Sequence, residues 1–330
     1  MNIDLIQIIT NYLLLDDQIK CCNLNRECYN IIKIYDVYAF RDNLTESVLR
    51  QNKFNNLAKL TVYFNFNIRD INHLRHLEYL NCSWQNGISD KSIRELHKLK
   101  VLILNNNAKI KNINHLSNLE ELWCAGHSIV SDSDITLLTS LKILNANDNP
   151  KIKNISHLKN LEKLDCACNS AISDDDIKNL SKLKKLVAHH NPKIKNIGHL
   201  KNLEELDCGG NCGVANDDIK FLIKLKKLCA GNNSKINNIN CLVNLEKLEC
   251  YFSSGISDVH IKNLIKLRKL VASDNTKIKN ISHLINLEEL SCQNNSSISD
   301  EDIINLPKLH TVNYKGNNKI KSRRICFCCE

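Results

Sequence analysis

The chain has 330 residues, of which 43% are hydrophobic and 25% charged, and its formal net charge is +9. This composition is sufficient for a packed core, and no segment is apolar for long enough to span a membrane. No basic region precedes an apolar run at the start, so we expect no signal peptide.

The first 54 residues do not fit the pattern of the rest of the chain and predict a small α-helical domain. Residues 3–14 carry apolar side chains at helical spacing, and Asp16 and Asp17 are suitable N-caps for a helix over 19–24. Residues 26–34 and 45–49 predict two more helices. Such a domain can cap the repeats that follow, whose first member would otherwise expose apolar side chains.

The same segment has a second interpretation. An apolar helix ends at residues 12–13, a break follows at 16–17, and a second helix leads to residues 25–26 and Tyr29. This order resembles an F-box, a helical module that docks onto a Skp-type adaptor of cullin-based ubiquitin ligases. Asn2-Ile3 replaces the usual Leu-Pro of that family, and its frequent tryptophan is here Tyr29 or absent. The resemblance implies that the adaptor-facing residues are Leu5, Ile6, Ile9, Leu13 and Leu15.

Residues 55–320 repeat one template, L-x-x-L followed by a polar position, isoleucines and a closing leucine. Units of 22 residues, such as 159–180, alternate with units of 20 residues, such as 181–200, so that the pair recurs every 42 residues. This spacing is the signature of a leucine-rich repeat. It predicts an α/β solenoid of about 13 repeats, a leucine-rich-repeat horseshoe whose parallel sheet lines the concave side.

An asparagine position follows each predicted strand, where its amide can hydrogen-bond backbone groups of the turn. Gln85, His127 and Ser253 replace the asparagine in three units. In the other units this position holds Asn65, Asn107, Asn149, Asn169, Asn191, Asn211, Asn233, Asn275, Asn295 and Asn317.

Sixteen cysteines require an explanation, and six of them recur at intervals of 42 residues in an inward strand position. Alternate strands of a sheet lie about 10 Å apart, which is too far for a disulfide or a shared metal ion. We therefore expect small apolar core residues in a reducing compartment, the cytoplasm. The six are Cys82, Cys124, Cys166, Cys208, Cys250 and Cys292.

The charges alternate with the repeats. Short units carry L-K-K-L and long units carry L-E-E-L or L-E-K-L, so stacking predicts that Lys185 and Lys227 flank Glu205. A nucleic-acid-binding stripe would carry uninterrupted Lys and Arg along one face, so we do not expect nucleic acid as a partner.

Outward strand positions of the first repeats are unusually apolar, whereas later repeats carry charges there. Contiguous exposed apolar residues usually mark a partner site, so we predict a protein-binding patch on the concave face. The alternative is that these residues pack under the N-terminal domain. A second, smaller aromatic break lies at Tyr251 and Phe252. The predicted patch comprises Tyr63, Phe64, Tyr79, Trp84, Val101, Ile103, Trp123 and Ile143.

Catalytic signatures are missing from the sequence. It contains no glycine-rich phosphate loop, no nucleophile elbow and no isolated carboxylate pair, so we expect neither an enzyme nor a cofactor. Asp148, Cys168 and His190 occupy one equivalent position in adjacent repeats, but stacking alone explains their spacing, and we predict no metal site.

The tail over residues 321–330 departs from the repeat. Cys326, Cys328 and Cys329 follow basic residues and could accept palmitate, which would bring the chain to a membrane; a frayed end is the alternative.

Taken together, the repeats and the first 40 residues resemble putative F-box/leucine-rich-repeat proteins of large amoeba-infecting DNA viruses. The resemblance implies a substrate-recruiting adaptor of a cullin-type ubiquitin ligase, in the host cytoplasm if the protein is viral. The alternative is a plain leucine-rich-repeat scaffold whose N-terminal helices only cap the solenoid.

Overall fold

The computed structural model describes Asp17 and residues 34–40 and 44–321, except for the side chain of Phe40. The predicted helices over 3–14 and 19–24 and the tail cysteines lie outside these residues, as does nearly all of the predicted helix over 26–34. The adaptor-facing residues Leu5, Ile6, Ile9, Leu13 and Leu15 lie outside them too. These interpretations therefore stay predictions.

The chain forms two compact units, residues 1–153 and residues 154–330. In the described part of the first unit, successive strands pair in parallel with their sequence neighbours. These strands are β1 (Asp36–Phe40), β2 (Lys59–Tyr63), β3 (Tyr79–Asn81), β4 (Val101–Ile103), β5 (Glu121–Trp123) and β6 (Ile143–Asn145).

The described part of the second unit repeats this arrangement, again with parallel pairing between sequence neighbours. Its strands are β7 (Lys163–Asp165), β8 (Lys185–Val187), β9 (Glu205–Asp207), β10 (Lys227–Cys229), β11 (Lys247–Glu249), β12 (Lys269–Val271), β13 (Glu289–Ser291) and β14 (Thr311–Asn313). The predicted parallel sheet is thus present in each unit.

Strand β1 was not expected from the sequence. It lies within the range that the sequence assigns to a helical N-terminal domain, yet it pairs with β2 over five residues, from Asp36 beside Lys59 to Phe40 beside Tyr63. Val37 and Ala39 are buried on its core side. The predicted helix over 45–49 is present as Glu46–Leu49.

Side chains alternate along each strand between the core and what we call the outer sheet face. In β8, Leu186 is fully buried, as is Ala188 just after the strand, whereas Lys185 and Val187 are partly exposed. This alternation follows from the pleat of a strand, whose successive side chains point to opposite sides. The core is continuous within each unit because every strand adds the same leucine position to the stack.

The six cysteines at 42-residue intervals are all buried and free. Burial raises the pKa of the Cys82 and Cys124 thiols to about 12. The prediction that they are apolar core residues without cross-links is therefore confirmed.

The long repeats carry a short helical turn on the side of the repeat that follows the strand. In the third long repeat of the series, the backbone N–H of Ser173 donates to Asp176 Oδ2 at 2.8 Å, and the Ser173 hydroxyl donates to the same oxygen at 2.8 Å. Asp174 Oδ1 accepts the backbone N–H groups of Lys195 and Asn196 of the next repeat, at 2.7 and 3.0 Å. The turns are Asp90–Ser92 (a 3₁₀ turn), Asp132–Ile135, Asp174–Ile177, Asn216–Ile219, Asp258–Ile261 and Asp300–Ile303.

The asparagine prediction holds in the short repeats alone. Asn191 is buried; its Nδ2 donates to the carbonyls of Cys166 at 2.7 Å and Ile172 at 3.2 Å, and its Oδ1 accepts the Lys193 N–H at 3.0 Å. In the long repeats the corresponding asparagines are exposed, and the buried position comes one residue later, as at Ser170. The turn after the strand has the same length in both repeat types, since Ile172 comes 11 positions after Leu161 and Ile194 comes 11 positions after Leu183, but it buries a different position. A common asparagine position for both repeat types was therefore wrong.

Candidate functional site

The residues of the predicted patch lie on or beside the outer face of β2 to β6. In register, Tyr79 lies beside Val101, and Ile103 lies beside Trp123. Ile143 is on the next strand, where it lies in register with Glu121 and therefore diagonal to Trp123. All five side chains are partly exposed, while the leucines between them are buried. The sheet therefore brings these five together as one surface; with Tyr63, Phe64 and Trp84 they form the apolar patch.

Two polar contacts fix aromatic rings of the apolar patch. The Trp123 indole N–H donates to Glu121 Oε1 at 2.6 Å, and the Tyr63 hydroxyl accepts from Asn81 Nδ2 at 2.7 Å. These contacts use the one polar atom of each ring and leave the apolar faces available.

A residue outside the prediction extends this surface toward β1. Tyr38 packs against Tyr63 with ring centroids 5.8 Å apart, and it is 55% exposed. Sequence reasoning missed Tyr38 because it had placed this segment in a helical domain. The alternation of Val37, Tyr38 and Ala39 was the available signal, although three residues are few for a strand pattern.

Phe64 and Trp84 follow β2 and β3 in the left-handed backbone region, with φ of 50° and 63°. Their side chains are 43% and 50% exposed. The same conformation recurs at one position after each strand from β2 to β14, and glycine fills that position at Gly126, Gly210 and Gly316. An aromatic residue here is not required by the turn, since glycine adopts positive φ without steric cost.

The outer face of the second unit is polar at the positions equivalent to Tyr79, Val101, Trp123 and Ile143, whereas the position of Ile103 is valine at Val187 and Val271. Glu205 lies in register between Lys185 and Lys227, and its carboxylate contacts their ammonium groups at 3.1 and 2.6 Å. The hydrogen bond from Lys227, and then that from Lys185, hold the Glu205 pKa below its usual range despite partial burial. The charge alternation predicted from the repeats is confirmed at this position.

A depression on this polar face is lined by a few residues at or just after the ends of β8, β9, β10 and β11. His189 and His190 border it on one side, and Tyr251 and Phe252 border it on the other. The predicted aromatic break at Tyr251 and Phe252 thus belongs to a cleft that the sequence had not suggested.

Metal and membrane sites are not found in the part of the chain that the structure describes. Within it, no three His, Cys, Asp or Glu side chains are grouped so as to hold a metal ion. Asp148, Cys168 and His190 each occupy the left-handed position of their repeat. None of the described helices has the length and apolar character needed to cross a membrane.

Neither a protein-family model nor a curated protein matches the chain. Solved structures do match. The functional domain of InlJ from Listeria monocytogenes, which includes a cysteine ladder, is 23% identical with a TM-score of 0.59; the match covers 80% of this chain and 59% of that one. A leucine-rich-repeat protein of Leptospira interrogans is 20% identical with a TM-score of 0.55, and the match covers 86% and 90% of the two chains.

The structure of a TLR13–ssRNA13 complex is also similar, at 24% identity and a TM-score of 0.56, with 86% of this chain and 44% of that chain covered. At these identities the likeness concerns the fold, and the chain accordingly has the leucine-rich-repeat fold.

Proposed function

We propose that the chain is a non-enzymatic, cytoplasmic protein-binding module and that its partner binds the apolar patch of the first unit. The observation that carries this proposal is the contiguity of Tyr79, Val101, Ile103, Trp123 and Ile143 on one partly exposed face. The fold does not need apolar groups there, because the second unit builds the same strands with lysine and glutamate.

The energetics of the aromatic side chains support this proposal. A bulky residue in the left-handed region costs about 1–2 kcal/mol relative to the right-handed one, and Phe64 and Trp84 also leave large apolar surfaces in water. The indole N–H of Trp123 is already bonded to Glu121, so a partner can cover that ring without leaving its donor unsatisfied. The Tyr63 hydroxyl accepts from Asn81 and keeps its own O–H to donate to a partner. Tryptophan and tyrosine in such positions are the residues most often found at binding hot spots.

The experiment is partner capture by the full chain, followed by calorimetry with the captured protein. Changing Ile103→Ala and Trp123→Ala together should weaken binding by about 100-fold or more, because two hot-spot side chains are removed. The melting temperature should stay nearly unchanged, because both side chains project from the outer face. The matched control is Val187→Ala with Val271→Ala, on the outer face of the second unit, which should leave binding unchanged.

A large drop in melting temperature with the double variant would instead favour the alternative that the patch packs under the N-terminal segment. Binding that survives the double variant would reject the patch as the partner site.

We further propose, as the finer form of this function, that the segment before β1 docks onto a Skp-type adaptor and makes the chain a substrate-recruiting subunit of a ubiquitin ligase. The order of residues in that segment supports it, and Leu5, Ile6, Ile9, Leu13 and Leu15 are its adaptor-facing residues. Because β1 pairs with β2, the docking segment has to end before Asp36.

The discriminating measurement is co-purification of the full chain with a purified Skp-type adaptor. Deleting residues 1–33 leaves β1 in place and should abolish the complex, whereas Leu5→Glu with Leu13→Glu should do the same without a deletion. If the adaptor does not bind the full chain, the plain scaffold is the remaining function.

A further inference from the structure

The depression on the second unit is a cleft between two pairs of perpendicular rings, and we name it the His–Tyr cleft. The His189 and His190 rings are 5.9 Å apart at 89°, and the Tyr251 and Phe252 rings are 5.5 Å apart at 89°. The space between the two pairs is about 270 Å³. Edge-to-face packing fixes each pair, so the walls of the cleft are formed before anything binds.

Glycines form the floor of the His–Tyr cleft. A Cβ added to Gly231 would lie 2.3 Å from the Tyr251 ring, and one added to Gly210 would lie 2.3 Å from the His190 ring. The two rings therefore lean over backbone from opposite sides. Gly209 lies between them, and the nearest atom to a Cβ built on it is the Gly231 carbonyl oxygen at 3.0 Å. The rings thus fill the space above Gly210 and Gly231, whereas the nearest side-chain atom to the Cβ position of Gly209 is Asp207 Oδ1 at 3.5 Å. The part of the floor that no ring covers is therefore the part beside the carboxylate.

One carboxylate is fixed at the base of the cleft. Asp207 Oδ2 is 3.1 Å from His189 Nδ1, and Asp207 Oδ1 accepts the Gly209 N–H at 3.1 Å. Each carboxylate oxygen can accept a further hydrogen bond, since it has two lone pairs. The side chain is about one-third exposed, so a ligand in the cleft can reach it.

The cleft offers a negative charge whose basic partner there is His189. None of the described residues that line it is lysine or arginine. The lysines on the neighbouring row are already paired, Lys227 with Glu205 at 2.6 Å and Lys247 with Glu249 at 2.7 Å. Burial, together with the contact to Cys229, raises the Tyr251 pKa, so the phenol stays neutral and keeps its aromatic face for stacking.

We propose that the His–Tyr cleft binds an arginine side chain presented by a protein partner. A guanidinium is planar, permanently charged and able to stack on aromatic faces, and it donates two parallel hydrogen bonds to one carboxylate. Asp207 supplies that carboxylate, the Tyr251 and His190 rings supply the walls, and Gly209 allows the flat group to reach the base.

Other planar groups fit this environment less well. A neutral ring would stack but would cover Asp207 without satisfying its charge, which is unfavourable. A phosphate-bearing nucleotide would bring a second anion toward that carboxylate, and like charges repel. A lysine would match the charge but has no plane to lie between the rings. The cleft is a second site, and its occupancy does not depend on the apolar patch.

The test titrates the full chain with the methylamides of Nα-acetyl-arginine, Nα-acetyl-citrulline and Nα-acetyl-lysine, followed by NMR. Citrulline is the matched probe because it has nearly the same shape without the charge. We expect millimolar binding of the arginine probe, perturbation of resonances of Gly209 and Tyr251, and binding of the other two probes at least tenfold weaker. Equal binding of the arginine and citrulline probes, or no binding of the arginine probe, would overturn the proposal.

Variants of the cleft test whether the arginine probe binds at Asp207 and Tyr251. Asp207→Asn should weaken its binding about tenfold or more, because a charge-assisted pair is lost. The control Asp165→Asn changes the equivalent strand position two repeats earlier and should leave binding unchanged. If Asp207→Asn does not fold, Tyr251→Leu removes a wall and should weaken binding similarly; unchanged binding in the folded variants rejects the site.

Two further measurements distinguish an arginine site from a nucleotide site and from the apolar patch. Uridine monophosphate should not compete with the arginine probe, and tighter binding of that nucleotide would overturn the protein-ligand interpretation. The Ile103→Ala and Trp123→Ala variant should bind the arginine probe normally, so failure of the apolar patch and failure of the cleft are distinguishable.

Discussion

The outer faces of the two units are built on equivalent strands, but the first is mainly apolar and the second mainly charged. In the first unit, Val101 and Ile103 of β4 lie beside Tyr79 and Trp123. In the second unit, Lys185 and Val187 of β8 lie beside Glu205 and Asp207. The buried leucines between them are the same in both, so the core maintains the fold while the outer face is free to specialise.

This difference has a physical reason. An inward position contacts side chains of the neighbouring repeats, and a change of volume there leaves a cavity or a clash. An outward position contacts neighbours on one side and water on the other, so apolar, charged and glycine residues are all compatible with the strand. Binding chemistry can therefore change from one unit to the next without changing the repeat.

The largest expected effect tests whether the cores of the two units are equivalent. Cys82 in the first unit and Cys208 in the second should react with iodoacetamide about 1,000-fold more slowly than the exposed Cys241, because burial raises both pKa values and excludes the reagent. Mass spectrometry of the alkylated native protein measures each rate. Fast labelling of Cys82 alone would mean that the first unit opens independently, and the comparison of faces would then include a difference in stability.

An intermediate effect concerns the buried asparagines, which occur in both units. Asn107 donates to the Cys82 carbonyl at 2.7 Å, as Asn191 does to the Cys166 carbonyl. Asn107→Ala and Asn191→Ala should each lower the free energy of unfolding by about 1–3 kcal/mol, since each removes a bond to a backbone carbonyl and one from the N–H two residues later. The Cys82 carbonyl keeps its bond from Asn86 Nδ2 at 2.7 Å, so the loss should be the smaller one at Asn107. Denaturant titration measures this, and Asn211→Ala, at an exposed long-repeat position, is the control expected within about 0.5 kcal/mol.

A clear loss in one unit and none in the other would contradict the view that the two units share one framework.

The smallest expected effect tests the difference in charge pairing between the two outer faces. Glu205→Gln should cost about 0.2–1 kcal/mol near pH 7, because the carboxylate is about one-third exposed and water weakens its pairing with Lys227 and Lys185. The folded-state pKa of Glu205 is lowered, so this stabilisation is present above the usual glutamate pKa and is lost as pH falls through the lowered value. The difference in stability between wild type and variant should therefore shrink as the pH falls below the usual glutamate pKa.

The matched change in the first unit is Glu121→Gln, at the equivalent strand position. Its register neighbours are Val101 and Ile143, so no adjacent lysine pair is lost and a smaller change in stability is expected. Equal losses at Glu205 and Glu121 would mean that the lysine pairs of the second unit contribute nothing measurable.

The amino-acid pattern was sufficient for some features and misleading for others. The 42-residue recurrence located the buried cysteines, and L-K-K-L next to L-E-E-L located Glu205 between its lysines, because stacking converts sequence spacing into contact. The same counting failed at Asn211, since the long repeats bury the residue after it, Cys212, in a turn of equal length. It also missed β1, where a five-residue strand lacks the leucine template.

The His–Tyr cleft was only partly foreseeable. Tyr251 and Phe252 stood out as an aromatic break, and His190 was noted at a position equivalent to Asp148 and Cys168, but nothing in the spacing joined His190 to Tyr251. Gly209 and Gly231 stand where other repeats carry side chains, and that was the available signal. The orientation of a ring above a glycine depends on the space between adjacent strands. A repeat pattern gives no information about that space.

The sequence by itself determined the repeat, its alternation of core and outer positions, and the neighbours of each strand, because these depend on periodicity and on the burial of leucine. The tertiary structure alone decided where the sheet begins, which turn buries its asparagine, and how the rings around Asp207 enclose a cleft. Those features depend on contacts between side chains and backbone of different repeats, and such contacts follow from packing in three dimensions.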